Sequence, residues 1–144
     1  MYKRCTCGHF MDLTLRTVVH ARKIEILRVP IFTCTGCERT ELLSSIKQDL
    51  QEMIKAHTCD AQTRVSISFD AVHELGSVLV ECLEQQEEDM AQVLEQAIQA
   101  RVNQLLDLYL LARTWQDEKW MNDLQLRLTQ ISGFSLEPYR VKIS

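Results

Sequence analysis

Two cysteine pairs, Cys5-Thr6-Cys7 and Cys34-Thr35-Gly36-Cys37, carry the most specific chemistry in the chain. Thiolate sulfur is a soft donor, and four thiolates around one Zn²⁺ make the closed tetrahedron of a structural metal site. Cys34 and Cys37 have the knuckle spacing, in which consecutive backbone amides donate to sulfur, and Gly36 permits the tight turn. Cys5 and Cys7 stand one residue closer than that pattern, so they chelate with a different local geometry, and Gly8 supports a turn after them. His9 is an alternative ligand in place of Cys5 or Cys7. The expected set is Cys5, Cys7, Cys34 and Cys37 on a structural Zn²⁺, because four ligands leave no open position for catalysis. The plainer reading is four small buried thiols, or a redox pair.

A β-hairpin must bring the pairs together. Met11, Leu13 and Leu15 alternate with polar residues, and Thr17, Val18 and Val19 add β-branched side chains. His20-Ala21-Arg22-Lys23 reads as the turn, without the Asn-Gly or Asp-Gly that would name its type. Beyond it Ile24, Ile26 and Arg28 are expected on one face and Glu25, Leu27 and Val29 on the other, with Pro30 ending regular pairing.

The period then changes. Leu42, Leu43, Ile46, Leu50, Met53 and Ile54 make one apolar face of a helix over Glu41–His57, with Thr40 as its N-cap. Arg64–Phe69 alternates as a short strand. Asp70 is expected to cap a helix with the stripe Val72, Leu75, Val78, Leu79, Cys82 and Leu83. A second helix carries Met90, Val93, Leu94, Ala97, Ile98, Val102, Leu105, Leu106 and Leu110, separated from the first at Glu84–Asp89. Asp117 caps a last helix, Glu118–Ile131, which Ser132-Gly133 stops, and the tail from Ser135 is an edge strand or loose. The fold class is α+β: a zinc-binding β-hairpin module over 1–40, then a helical domain over 41–144 with a short strand near 64–69.

Composition sets the context. The 144 residues are 46% apolar, enough for a core, and hold 4 Gly and 2 Pro, few enough for long helices. No apolar run reaches the length of a membrane span, and the start MYKRCTCGHF has no signal-type apolar region. A cytoplasmic chain is expected, and there paired cysteines hold a metal more often than a disulfide. The net charge of −4 hides an asymmetry. Residues 1–39 carry seven Lys and Arg against three acids, a balance of +4, whereas 65–144 carry six against thirteen, a balance of −7.

The run from Cys5 to Cys37, with Gly8, Ile24-Glu25-Ile26, Val29-Pro30 and Cys34-Thr35-Gly36-Cys37-Glu38, resembles the YgiT-type zinc finger, the N-terminal module of MqsA-type antitoxins. The likeness covers about the first fifty residues. It implies that Cys5, Cys7, Cys34 and Cys37 bind zinc and that the module contacts a protein. The antitoxins continue into a helix-turn-helix DNA-binding domain. The acidic stretch 70–131 carries no such signature, so operator binding is not carried over.

The remaining features each have two readings. Trp115 and Trp120 anchor a partner helix, or pack the angle between two helices. Glu84–Asp89 attracts a basic surface or is a solvated face. Cys59 with His57 adds ligands, or is a small thiol at a helix end; Cys82 belongs to the core, and His20 lies exposed in the turn. Arg16, Arg22, Lys23 and Arg28 meet phosphates as a β-ribbon does, or dock on an acidic body. His73 has no paired Ser or Cys suggesting nucleophilic catalysis, and no phosphate loop, dinucleotide fingerprint or HExxH occurs. The expectation is a cytoplasmic zinc-binding adaptor or regulator, not an enzyme. It works by protein–protein interaction through its helical body, with self-association into a homo-oligomer. The alternative is a DNA-binding transcriptional regulator or antitoxin.

Overall fold

The computed structural model describes residues 2–58, 64–85 and 90–134. The expectations at Cys59, at the last four residues of Glu84–Asp89 and in the tail after Phe134 lie outside them. The chain is an α+β fold: a five-stranded sheet, then helices packed on it and on one another. Strands β1 (Tyr2–Arg4), β2 (Phe10–His20), β3 (Ile24–Cys34) and β4 (Thr40–Leu42) run in order and antiparallel. Helix α1 (Ser44–Thr58) then crosses over to β5 (Val65–Ser68), which pairs parallel to the first half of β3.

The hairpin β2–β3 forms as the alternation predicts. Its turn closes with Lys23 N donating to His20 O at 3.1 Å. Ala21 and Arg22 both take positive φ, 54° and 60°, inside the three-residue loop between the paired His20 and Ile24. Neither residue is Gly or Asn, so each carries roughly 1 kcal/mol of local strain that the strand pairing must offset.

Two expectations fail on β3. Pro30 does not end the strand; it lies opposite Leu15, and pairing continues to Cys34. β5 covers Ile24–Leu27 and β4 covers Ile31–Thr33, so Pro30 falls in the gap between them, where no strand among the described residues pairs with β3 and a missing N–H is tolerated. Arg28 does not share a face with Ile24 and Ile26. The register jumps between Arg16 and Val18, so Leu27 and Arg28 together oppose Thr17, and Arg28 takes φ 59°. This bulge exchanges the faces. Val29 joins Ile24 and Ile26 in the core while Arg28 turns out toward Asp70 and Glu84, each at 3.5 Å.

Two helix starts also move. Thr40 and Glu41 belong to β4 rather than to a helix, because Ile31 pairs with Leu42; α1 begins only at Ser44. Asp70 does not cap a long helix. Phe69–Val72 forms one turn, α2, and the chain is extended at His73 (φ −134°, ψ 126°) before α3 (Glu74–Gln85). Val72 thereby leaves the expected stripe and is exposed, while Leu75, Val78, Leu79 and Cys82 are buried. Helices α4 (Met90–Thr114) and α5 (Glu118–Ser132) follow the sequence reading, with Asp117 accepting from Trp120 N at 3.1 Å as the N-cap. Buried residues from Cys5 to Ile131 make one hydrophobic cluster across sheet and helices.

The helices meet at Glu74. Its carboxylate accepts from Arg101 of α4 at 2.8 Å and from Arg127 of α5, and its backbone N–H donates to Gln130 Oε1 at 3.0 Å. Burial alone would raise its pKa, but the two guanidinium groups outweigh that and hold it below the usual carboxylate value. Glu74→Gln is expected to destabilise the fold by about 2 kcal/mol, the scale of hydrogen bonds to charged groups. A group whose folded pKa is depressed stabilises above its unfolded pKa and loses that contribution as pH falls through its folded one. Urea titrations should therefore show wild type and Glu74→Gln differing at neutral pH and converging below about pH 4.

Candidate metal centre

Strand register places the two cysteine turns side by side. Met11 of β2 pairs with Cys34 of β3, so the β1–β2 turn and the β3–β4 turn emerge at one end of the sheet. The first closes with Cys5 N donating to His9 O at 2.8 Å and Gly8 N donating to Cys5 O at 3.0 Å, with Gly8 at φ +96°. The second closes with Cys34 N donating to Arg39 O at 2.8 Å. Phe10 O accepts from both Thr35 N, at 3.2 Å, and Thr35 Oγ1, at 3.3 Å. Arg39 Nη1 donates to Thr6 Oγ1 at 3.1 Å, so the two turns are also tied directly.

All four sulfurs meet. Cys5 Sγ lies 3.6 Å from Cys37 Sγ, Cys7 Sγ lies 3.4 Å from Cys34 Sγ, and the four atoms all fall within 4.8 Å of one another. A tetrahedron with zinc–sulfur bonds of about 2.3 Å has sulfur–sulfur edges of about 3.8 Å, which falls within this range of separations. Cys5 and Cys34 are buried and Cys7 and Cys37 exposed, so the cluster is reachable from one side. All the thiols described are free. Cys34 Sγ accepts from Gly36 N at 3.4 Å and Cys37 N at 3.5 Å, the amide pattern that the knuckle spacing calls for.

His9 stands outside the tetrad. Its Nδ1 is 3.5 Å from Cys7 Sγ, and its ring lies over Gly36, where a Cβ would come within 2.5 Å of the ring atoms. Gly36 thus serves close approach as well as the turn, and His9 is placed to hydrogen-bond to a ligand sulfur rather than to replace one.

The thiols titrate as a unit. The Cys37 N–H, aided by Gly36 N–H and the Cys7 and Cys37 thiols, holds Cys34 down to about 6 against the effect of its burial. Cys5 is also lowered, chiefly by the Cys7 N–H. At Cys37 the Arg39 N–H pulls downward, but the sulfurs of Cys5, Cys34 and Cys7 outweigh it and push the thiol up to about 12. Protons leave such a cluster in macroscopic steps, and the last thiolate resists forming beside the others unless a cation shares the site.

One constellation was not foreseen. His73 is buried, with its Nε2 2.7 Å from Asp49 Oδ2 of α1. Its Nδ1 accepts from Gly76 N at 3.3 Å, so the ring proton sits on Nε2 and donates to the carboxylate. The ring stacks on Phe69 with centroids 4.8 Å apart. The pair caps α3 through Gly76 N and anchors α1. The 24-residue separation of His73 and Asp49 leaves no local pattern that could have signalled it. Cys82 is a core thiol whose burial raises its pKa, as its stripe position indicated. Trp115 and Trp120 pair across the α4–α5 turn, ring centroids 6.0 Å apart, with Trp115 largely exposed.

Comparison of the chain with protein-family models, with curated proteins and with solved structures yields no match.

Thiolate absorbance of metal-free folded protein should rise in separate steps, the first centred near pH 6 and the last near 12. Cys34→Ser should remove the first step, and denaturation should merge the steps near 9, the ordinary thiol value. A single folded-state transition near 9 would contradict the hydrogen-bonded tetrad.

Proposed function

We propose that the chain is a zinc-binding adaptor or regulator of the cytoplasm, in which Cys5, Cys7, Cys34 and Cys37 hold one structural Zn²⁺ and the helical body contacts another protein. The observation that carries the zinc reading is the set of four sulfurs within 4.8 Å, backed by two amide donors on Cys34. The resemblance of the first fifty residues to the YgiT-type zinc finger supports the same ligand set. β1 and β4 are three residues each, too short to hold their turns by strand pairing alone, so a metal staple there has a physical purpose. Four sulfur ligands fill zinc's coordination sphere and leave no position for substrate, which argues for a non-enzymatic role.

A protein-contact role draws on the end of α4. Leu106 and Leu110 are exposed one turn apart on one helical face, and Leu111 and Trp115 one turn apart on another; exposed apolar side chains such as these are candidates for an interaction surface. The DNA-binding alternative rests on Arg16, Arg22 and Arg64, exposed cations on β2, at the hairpin tip and beside β5. Counterion release would make such binding collapse as salt rises.

Elemental analysis of protein purified without chelator should give one zinc per chain, and cobalt substitution should give the thiolate charge-transfer and d–d bands of a tetrahedral sulfur site. Removal of the ion should lower the melting temperature. Each thiol must lose a proton to bind as thiolate, so affinity should fall as pH falls. His9→Ala should keep the metal and Cys7→Ser should lose most of it; the reverse would sink this ligand assignment. For the adaptor role, a protein retained on wild-type chain should be lost on both Leu110→Glu and Trp115→Ala with zinc content intact. Salt-sensitive duplex binding, with no such protein, would favour the alternative instead.

A further inference from the structure

We propose that the outer edge of β2 pairs with the same edge of a second copy of this chain, joining two five-stranded sheets across a two-fold axis at Thr17. The proposal does not rest on the metal. β1 covers β2 only at Phe10–Asp12, and the hairpin turn begins after His20. Among the described residues no strand pairs with the outer edge of Thr14–His20, the segment Thr-Leu-Arg-Thr-Val-Val-His. Such an edge presents a row of unpaired N–H and C=O groups, a template for another strand.

Proteins that keep an edge single blunt it with Pro, Lys or a bulge in the edge strand itself. This edge has no Pro, Lys or bulge of its own, and Arg16 is its one Arg or Lys. The extra residue of the bulge lies in β3, at Leu27–Arg28, and no residue of β2 has positive φ. Val19 is 61% exposed, as an unpartnered β-branched side chain on such an edge would be.

The occupant follows from where the edge begins and ends. An antiparallel strand related by a two-fold axis pairs residues whose numbers have a constant sum, and the midpoint of Thr14–His20 is Thr17. With the axis there, both copies use the whole edge, and the turn of each ends beside Tyr2 of the other, an exposed aromatic at the start of β1. The cross-strand pairs are then Thr17 with Thr17, Leu15 with Val19, Arg16 with Val18 and Thr14 with His20. Thr–Thr and aliphatic pairs are favourable cross-strand neighbours.

The two nearest face-preserving registers are worse. An axis at Arg16 sets two arginines directly opposite each other, and like charges directly opposed destabilise a ladder. An axis at Val18 runs Leu15 and Thr14 past the end of the partner's strand at His20 and leaves them unpaired. Edge length and charge placement therefore select one register independently, which a random extended peptide would not require.

The test is the oligomeric state of the full chain by sedimentation velocity over a concentration series. The expected result is a monomer–dimer equilibrium in which Thr17→Lys, which opposes two ammonium groups at the axis, raises the dissociation constant at least tenfold, while Thr17→Val preserves the dimer. Circular dichroism and zinc content report separately whether each variant folds and keeps its metal. Should Thr17→Lys misfold, amide hydrogen exchange of wild type decides: β2 amides pointing away from β3 should gain protection with protein concentration. A wild-type monomer at all concentrations overturns the proposal. So does a dimer that resists Thr17→Lys and dissociates with Leu110→Glu, or concentration-independent exchange on β2.

Discussion

Strand β3 has to satisfy its backbone along both edges while turning its side chains from one face of the sheet to the other, and most of the molecule answers to that constraint. β2 takes one edge; β5 and β4 divide the other between them. At the cysteine end Phe32 and Cys34 face the core together with Met11 and Leu13, whereas at the turn end Ile24, Ile26 and Val29 do. In a regular strand Ile24, Ile26, Phe32 and Cys34 would share one face and Val29 would take the other, because side chains alternate with period two. The additional residue at Leu27–Arg28 makes the exchange. It sits where β5 gives way to α2, so the exposed Arg28 finds carboxylates on α2 and α3.

Two concentrations of charge are handled in opposite ways. In the body, the buried carboxylate of Glu74 is compensated within the chain by Arg101 and Arg127, and the same residue ties three helices together. At the sheet's end, four thiols crowd together, and among the described residues their hydrogen-bond partners are amide groups, His9 and one another. Amides can favour one or two thiolates; four need a cation. The proposed zinc supplies from outside what the arginines supply from within.

The cysteine turns are continuous with the core rather than an appendage to it. Cys5 and Cys34 belong to the same buried cluster as Leu94, Leu124 and Ile131 of the helices. The sheet draws β4 and β5 from residues 40–42 and 65–68, beyond the hairpin itself. β3 thus runs from the cysteine turns to the helices, packing against both α1 and α3.

The hairpin, the last two helices, the Asp117 cap and the identity of the four sulfur residues were legible in the sequence, because each is written in neighbouring residues. Period-two alternation, a helical stripe, a capping side chain and a Cys-x-x-Cys spacing are all local signals. What the local pattern misread were places where a distant strand overrode it. Thr40–Leu42 has helix-like neighbours but pairs with Ile31–Thr33, and Pro30 looked like a terminator until β4 and β5 left it a gap. Likewise His73 broke a continuous helical pattern because Asp49, far off in the chain, held its ring. By itself the sequence determined which side chains can bind metal and which segments are strand or helix. Only the tertiary structure decided that Cys5 meets Cys37 while Cys7 meets Cys34, with His9 left outside, since those distances are set by the register of β2 on β3, a long-range choice no single segment encodes.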